Sequence, residues 1–194
     1  MPFIWGFVAL LGLWILSGLF VGIWNPLKYV EGADGRPSTS KFQWLFWTAI
    51  VFFAYTVLYA ARARFGYFEP ITQIPENILY VMGISATTMA AAKGITNAYD
   101  KSKRLVKQPA AAAPNTAGAG ALLADDIGVP DLSKIQMVGW TVLIGIIYVM
   151  RVVQMVHAYD LRENDLTQLP DIDKALMVLM GLGHGGYLAK KAAS

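Results

Sequence analysis

The residues best suited to chemistry are one arginine and its polar neighbours inside an apolar stretch. Arg151, Gln154 and His157 are spaced by three, which places them within about 120° on one side of a helix. A charge in such a place predicts either a polar path for ions or a structural role. We favour snorkelling or ion pairing, because acidic residues follow at the helix end. Those acidic residues are Asp160, Glu163, Asp165, Asp171 and Asp173.

The second histidine, His184, lies in the glycine-rich sequence GLGHGG. We expect a packed histidine there, and the sharper alternative is a single axial ligand to a haem or a pigment. His157 is near one end of its helix, whereas His184 is roughly 9 Å from the opposite end of its own. The two histidines are therefore not expected to share a ligand, and we predict no metal site.

No catalytic set emerges from the remaining residues. The sequence has no glycine-rich nucleotide loop followed by lysine, no HExxH and no GxSxG. It also has no cysteine, which removes thiol catalysis, cysteine zinc sites and iron–sulfur clusters. We predict that the protein is not an enzyme.

The composition places these residues in a membrane. Of 194 residues, 56% are hydrophobic and only 15% are charged, where a soluble domain has about 25% charged residues. The mean hydropathy is +0.45. We predict an all-α integral membrane protein with five transmembrane helices. Four of the five apolar segments are 3–24, 42–61, 77–92 and 135–159, and the fifth lies between Lys174 and Lys190.

The third and fifth segments are short for a bilayer core of roughly 30 Å, so re-entrant hairpins are the alternative to spans. Charge placement favours spans. With five spans, eleven basic residues lie on one side of the membrane and five on the other. The positive-inside rule then predicts a multi-pass protein of the cell (inner, cytoplasmic) membrane, with the N-terminus outside and the C-terminus in the cytoplasm.

The chain also contains an internal repeat. GRPSTSKFQWLFWT from Gly35 matches GVPDLSKIQMVGWT from Gly128 at seven of fourteen positions, with an offset of 93 residues. A second block follows each copy, QIPENILYVMGIS from Gln73 and QLPDIDKALMVLMGLG from Gln168, where the offset becomes 98. Each copy holds two spans, so the copies run in the same direction through the membrane.

The predicted organisation is an N-terminal helix (1–27), repeat 1 (35–97), a linker (98–127) and repeat 2 (128–191). The linker begins with basic residues suited to anionic lipid headgroups and continues rich in Ala, Pro and Gly. Its basic residues are Lys101, Lys103, Arg104 and Lys107. We expect membrane lipids as partners and no nucleic acid.

Two sets of residues recur in both copies. The repeat framework is Gln43, Trp47, Gln136 and Trp140. We expect the two Trp side chains to anchor the helices at the membrane interface and the two Gln side chains to form hydrogen bonds between helices. A ligand or ion contact is the alternative for the Gln side chains. The second set is a stripe of small residues spaced by four, which predicts close helix packing or, alternatively, a backbone-lined ion path. The stripe comprises Gly83, Thr87 and Ala91, then Gly181, Gly185 and Ala189.

The chain resembles small bacterial multi-pass membrane proteins of uncharacterised function, which carry the same two sequence motifs. The first motif is SKxQxxxWT, and the second is similar to LMGIS (VMGIS at 81–85, LMGLG at 179–183). The resemblance covers about 35–97 and 128–191. It implies the membrane architecture and no active site. The second copy has Gly183 and His184 where the first has Ser85 and Ala86.

Together these patterns predict a non-enzymatic membrane subunit that acts as a helix-packing scaffold or anchor, in a homo-oligomer or with other membrane subunits. The alternative is a small ion channel or transporter that uses the glycine seam or the Arg151 stripe. A weaker alternative is a cofactor-binding subunit of an electron-transfer or pigment complex, which rests on His184.

Overall fold

The computed structural model describes residues 1–32, 35–101, 119–125, 128–160 and 166–193. These residues form five long α-helices and contain no β-strand, only isolated bridges. The all-helical architecture is therefore as predicted. The helices are α1 (Pro2–Val21), α2 (Thr39–Ala63), α3 (Glu76–Lys101), α4 (Leu132–Asp160) and α5 (Lys174–Ala193).

Four of these helices, α1 to α4, are long and apolar enough to cross a membrane. The third is not short: it is a continuous helix of 26 residues, about 39 Å long at 1.5 Å per residue. It ends at Lys101, so the first residues assigned to the linker are helical. The remaining basic linker residues, Lys103, Arg104 and Lys107, lie outside the described residues.

Four helices form a ring in the order α2, α3, α5, α4, and α1 packs outside it against α2. The α1 contact is close because Gly6 has no side chain. A Cβ at Gly6 would lie 2.6 Å from the Phe53 ring and 2.6 Å from Val57 of α2. The rest of α1 is largely exposed, with Trp5, Leu11 and other apolar side chains facing outward.

Helices α2 and α4 run in the same direction. At one end, the Thr39 hydroxyl donates to the Leu122 carbonyl oxygen over 2.7 Å, which joins the start of α2 to the loop before α4. At the other end, Arg64 and Asp160 form an ion pair between the two helix ends. The loops after α2 and after α4 also meet there, because Leu169 N–H donates to the Gln73 carbonyl oxygen over 3.1 Å.

Candidate functional site

The loops before α2 and α4 have the same geometry 93 residues apart. In the first, the Lys41 ammonium donates to the Glu31 carbonyl oxygen over 2.6 Å. In the second, Lys134 donates to the Ala124 carbonyl oxygen, also over 2.6 Å. Each lysine therefore holds the chain that enters its own helix, rather than only reaching toward headgroups.

A glycine with positive φ makes the turn in each loop, Gly35 at φ 74° and Gly128 at φ 86°. The helices begin shortly after these turns, with Ser38 and Asp131 at the N-cap positions. Asp131 accepts from Ser133 N–H over 2.9 Å. This backbone bond satisfies one of the free donors at the start of α4.

The Asp131 carboxyl also binds the Lys190 ammonium at 2.9 Å, which ties the start of α4 to the last turn of α5. Burial raises the pKa of Asp131, but the hydrogen bonds from Lys190 and Ser133 N–H outweigh burial. The pKa is therefore lowered below its ordinary 3.8. This carboxylate therefore joins α4 and α5 at one end of the bundle.

Of the two framework glutamines, only Gln43 is buried. Its amide Nε2 donates to the Met137 carbonyl oxygen over 3.1 Å and to the Thr141 hydroxyl. Gln136, at the same place in the second copy, is exposed. The pair therefore has two different environments despite equivalent sequence positions.

Trp47 is fully buried in the core, whereas its sequence position predicts a place at the membrane interface. Its ring meets that of Tyr148 edge to face, with centroids 6.3 Å apart. The reason is that Trp47 shares the face of α2 that turns toward α4, so a neighbouring helix covers it in place of lipid. Trp140 is half-buried.

The small-residue stripe does not produce close packing between α3 and α5. A Cβ at Gly83 or Gly185 would meet no atom within 4 Å, and one at Gly181 would meet only Ile84, at 3.9 Å. Although α3 and α5 are in contact, these glycines line an open groove of about 380 Å³ between them. Thr87 also lines the groove; Ala91 is half-buried and Ala189 exposed.

His184 lies in the wall of this groove and is 2% exposed. Its Nδ1 lies 2.7 Å from the Met180 carbonyl oxygen, so Nδ1 carries the proton and donates. The other ring nitrogen, Nε2, has no hydrogen-bond partner among the described residues. This nitrogen is a coordinating atom that no described residue uses, and it is buried although His184 borders the groove.

Helices do approach closely at glycines outside the stripe. A Cβ at Gly145 of α4 would lie 2.6 Å from the Phe46 ring of α2. A Cβ at Gly183 of α5 would lie 3.5 Å from the Cα of Met137. Spacing could not have identified Gly145, because the other glycine of α4, Gly139, lies six residues away and so on a different face of the helix.

The Arg151 stripe lies on the outside of the bundle. Arg151, Gln154 and His157 are all exposed, so they line no path through the described part of the chain. Arg151 borders a small cavity together with Asp171 and Asp173, which is the acidic environment expected from the sequence. Glu163 and Asp165 lie outside the described residues.

Arg62 has a structural role that the sequence does not indicate. It is 8% exposed, and it donates to the Glu69 carbonyl oxygen over 3.0 Å. The guanidinium also lies 3.6 Å from the Glu69 carboxylate. Arg62 thereby holds the loop between α2 and α3. A charged residue in the last turn of an apolar helix is ordinary at the end of a membrane span, so the sequence does not distinguish Arg62 from such a residue.

The described polar side chains thus mainly join helices and loops. In the described part of the chain, no three His, Asp or Glu residues are grouped so that they could hold a metal ion. Within those same ranges, the buried Nε2 of His184 is a coordinating atom without a hydrogen-bond partner, on a residue that borders the groove. No protein-family model, curated protein or solved structure matches the chain.

Proposed function

We propose that this protein is a non-enzymatic integral membrane subunit, a five-span helical scaffold that assembles with further copies of itself in the cell membrane. The length and apolar character of α1 to α4 support the membrane assignment. Helix α5 has 20 residues and carries Lys174 at its start and Lys190 and Lys191 in its last turn. Lysines at helix ends snorkel to the interface, so α5 is proposed as the fifth span.

Charge at the two ends of the bundle supports the orientation. The contacts between Thr39 and Leu122 and between Asp131 and Lys190 gather the loops of one end. By sequence, eleven basic residues belong to that end and five to the other. The positive-inside rule then places the basic end in the cytoplasm and the N-terminus outside.

The recurring loop geometry supports two copies of one unit. The Lys41 and Lys134 contacts and the turns at Gly35 and Gly128 agree at the offset of the sequence repeat. Parallel repeats of this kind build a bundle from equivalent modules rather than from an inverted pair. We infer that the first copy carries α1 as an addition.

The observation that supports the scaffold function most strongly is that buried polar side chains bond other helices and loops. Gln43, Arg62 and Asp131 are buried and each bonds another helix or a loop. In a membrane such bonds hold helices together. A transport function along the Arg151 stripe would need another subunit to enclose it, because that stripe faces outward.

Orientation is tested by labelling. The chain has no cysteine, so single-cysteine variants give no background. A membrane-impermeant maleimide should label Phe68→Cys in intact cells and label Lys93→Cys only after lysis; both side chains are exposed. The opposite pattern, or equal labelling of both sites from outside, would contradict the proposed topology.

Assembly is tested by the mass of the protein extracted in a mild detergent. A homo-oligomer without other chains supports the scaffold. A monomer contradicts it, and stoichiometric co-purification of a different protein would replace self-assembly by a mixed complex.

The buried, unpartnered Nε2 of His184, a residue that borders the groove, favours a second candidate, a cofactor-binding subunit. The residues fit an axial ligand in one respect: the Nδ1–H bond to Met180 fixes the tautomer that metal-ligating histidines use. An absorption spectrum of the purified protein tests this candidate. A visible band that His184→Leu abolishes supports it, and a colourless protein removes haem and pigment.

A further inference from the structure

Helices α2 and α4 correspond at an offset of 93 residues, yet they meet through different faces. Gln43 on α2 points at α4 and donates to the Met137 carbonyl oxygen and the Thr141 hydroxyl. The residue of α4 that corresponds to Gln43 is Gln136, which is exposed. One face of α2 therefore packs on another face of α4. Such a contact is heterologous, because the two helices contribute different faces. The face that α2 uses is therefore still exposed on α4, and the face that α4 uses is still exposed on α2.

The acceptor for a second such contact is already formed on α2. Met137 and Thr141 correspond to Trp44 and Thr48. The Thr141 hydroxyl donates to the Met137 carbonyl oxygen over 2.9 Å. The Thr48 hydroxyl donates to the Trp44 carbonyl oxygen over 2.8 Å in the same way. Trp44 is 40% exposed, so this carbonyl and hydroxyl pair lies on an outer face.

The two residues of the aromatic contact beside the glutamine also have counterparts in the other copy. Trp47 meets Tyr148 edge to face within the chain. The residues that correspond to them are Trp140 and Tyr55. Both are half-buried and pack in part against the core of their own chain, which leaves part of each ring exposed. The second contact can therefore pair the same two residue types.

The pairing of a large side chain on one helix with a glycine on the other can also be repeated. Within the chain, the large Phe46 of α2 packs on Gly145 of α4. The corresponding positions carry Gly139 on α4 and Phe52 on α2. A Cβ at the exposed Gly139 would meet no atom within 4 Å, and Phe52 is 40% exposed. If this contact is repeated between two chains, a large ring again faces a glycine.

Helices α3 and α5 repeat the pattern at their offset of 98 residues. Ile84 of α3 lies 3.9 Å from a Cβ at Gly181 of α5. The corresponding positions are Leu182 on α5 and Gly83 on α3. Leu182 is 66% exposed, and a Cβ at Gly83 would meet nothing within 4 Å. An exposed leucine thus has an open glycine as its counterpart.

We propose that a second copy of this chain docks on the α4–α5 side of the first through its own α2–α3 side, and so repeats the contact inside the chain. Gln136 then donates to the carbonyl oxygen of the partner's Trp44 and to the hydroxyl of the partner's Thr48. Leu182 covers the partner's Gly83. This inference rests on the proposed function, because it names the partner and the face of the homo-oligomer. Head-to-tail contacts of this type form closed rings when the rotation between copies closes.

Mixed cysteine variants test the pairing. Leu182→Cys and Gly83→Cys are expressed together, each in its own chain, and treated in membranes with a short bis-maleimide. A cross-linked dimer is expected only when both variants are present, because the contact is head-to-tail. The positive control is one chain with both Ile84→Cys and Gly181→Cys, the corresponding pair inside the chain. The negative control replaces Leu182→Cys by Leu11→Cys on α1, which is 52% exposed.

Cross-linking of either single variant with itself, or no cross-link in the mixture while the control chain reacts, would overturn the inference. An oligomer found without this cross-link leaves the proposed scaffold standing and rejects only this face. A monomer rejects both. As a second variant, Gln136→Leu should weaken assembly by about 3- to 15-fold, the range of interhelical hydrogen bonds in membranes. Unchanged assembly would contradict the role of Gln136.

Discussion

The carboxylate of Asp131 and the ammonium of Lys190 are 2.9 Å apart, and this ion pair joins the N-cap of α4 to the last turn of α5. The carboxylate is buried and the ammonium is half-exposed. Asp131 also caps α4 through Ser133 N–H. One residue therefore orders a helix start and fixes the neighbouring helix end.

This arrangement predicts a pH dependence of folding stability. Burial raises the pKa of Asp131, but hydrogen bonds from Lys190 and Ser133 N–H outweigh it and lower the pKa below 3.8. A lowered pKa contributes stability that is fully present above the unfolded value and is lost as the pH falls through the folded value. The free energy of unfolding in detergent, followed by circular dichroism, should fall below about pH 4.

Substitution of Asp131 separates the charge from the cap. Asp131→Asn keeps a capping oxygen and should flatten the acid dependence of the unfolding free energy. Asp131→Ala should do the same and also lose about 0.5–2 kcal/mol at neutral pH, because the cap is removed. An acid dependence that Asp131→Asn leaves unchanged would contradict the assignment to this carboxylate.

The two arginines at the end of α2 should differ in their contribution to stability. Arg62 is 8% exposed and bonds the Glu69 carbonyl oxygen, whereas 37% of the Arg64 side chain is exposed in its pair with Asp160. Arg62→Ala should cost about 1.5–3 kcal/mol of unfolding free energy. Arg64→Ala should cost less than about 1 kcal/mol. Equal losses in urea or thermal unfolding would contradict this order.

Gly145 should not tolerate a large side chain. A Cβ there would lie 2.6 Å from the Phe46 ring and 2.8 Å from Ile50. Gly145→Leu should therefore lower the unfolding free energy by about 1–3 kcal/mol, since the Phe46 and Ile50 side chains must be displaced. Gly185→Leu is the matched control, because a Cβ at Gly185 meets nothing within 4 Å. If the control variant loses as much stability as Gly145→Leu, close packing at Gly145 is not what limits the side chain there.

Unlike the substitutions above, a substitution of His184 is not expected to lower stability. A buried nitrogen without a partner opposes folding by about 1–3 kcal/mol, and the Nε2 of His184 is such an atom. His184→Leu should therefore leave the thermal unfolding midpoint unchanged or raise it. A lower midpoint for the variant would show that the Nε2 binds something in the folded protein, as the cofactor-binding candidate requires.

The helices themselves could be predicted from the sequence, because a run of uncharged residues about 20 long has few alternatives in a chain this apolar. Their ends follow from charges such as Arg62 and Lys174. The faces through which the helices meet could not be predicted. In a membrane, apolar side chains suit both the lipid and the bundle interior, so periodicity does not distinguish them.

Three residues illustrate that limit. Trp47 is buried although Trp at a helix end is typical of an interface, and Gly83 borders open space although its spacing predicts packing. Gln136 has the same sequence surroundings as Gln43 and yet is exposed. Such differences arise from how one copy packs on the other, and a pattern shared by both copies carries no information about it.

The most direct test of the scaffold assignment is the native mass of the protein in lipid nanodiscs. The chain has a mass of 21.2 kDa. We expect one discrete species at an integer multiple of that mass, two or more chains, shifted toward smaller species by Gln136→Leu. A single species at the mass of one chain, in lipid and without added detergent, would contradict the scaffold assignment.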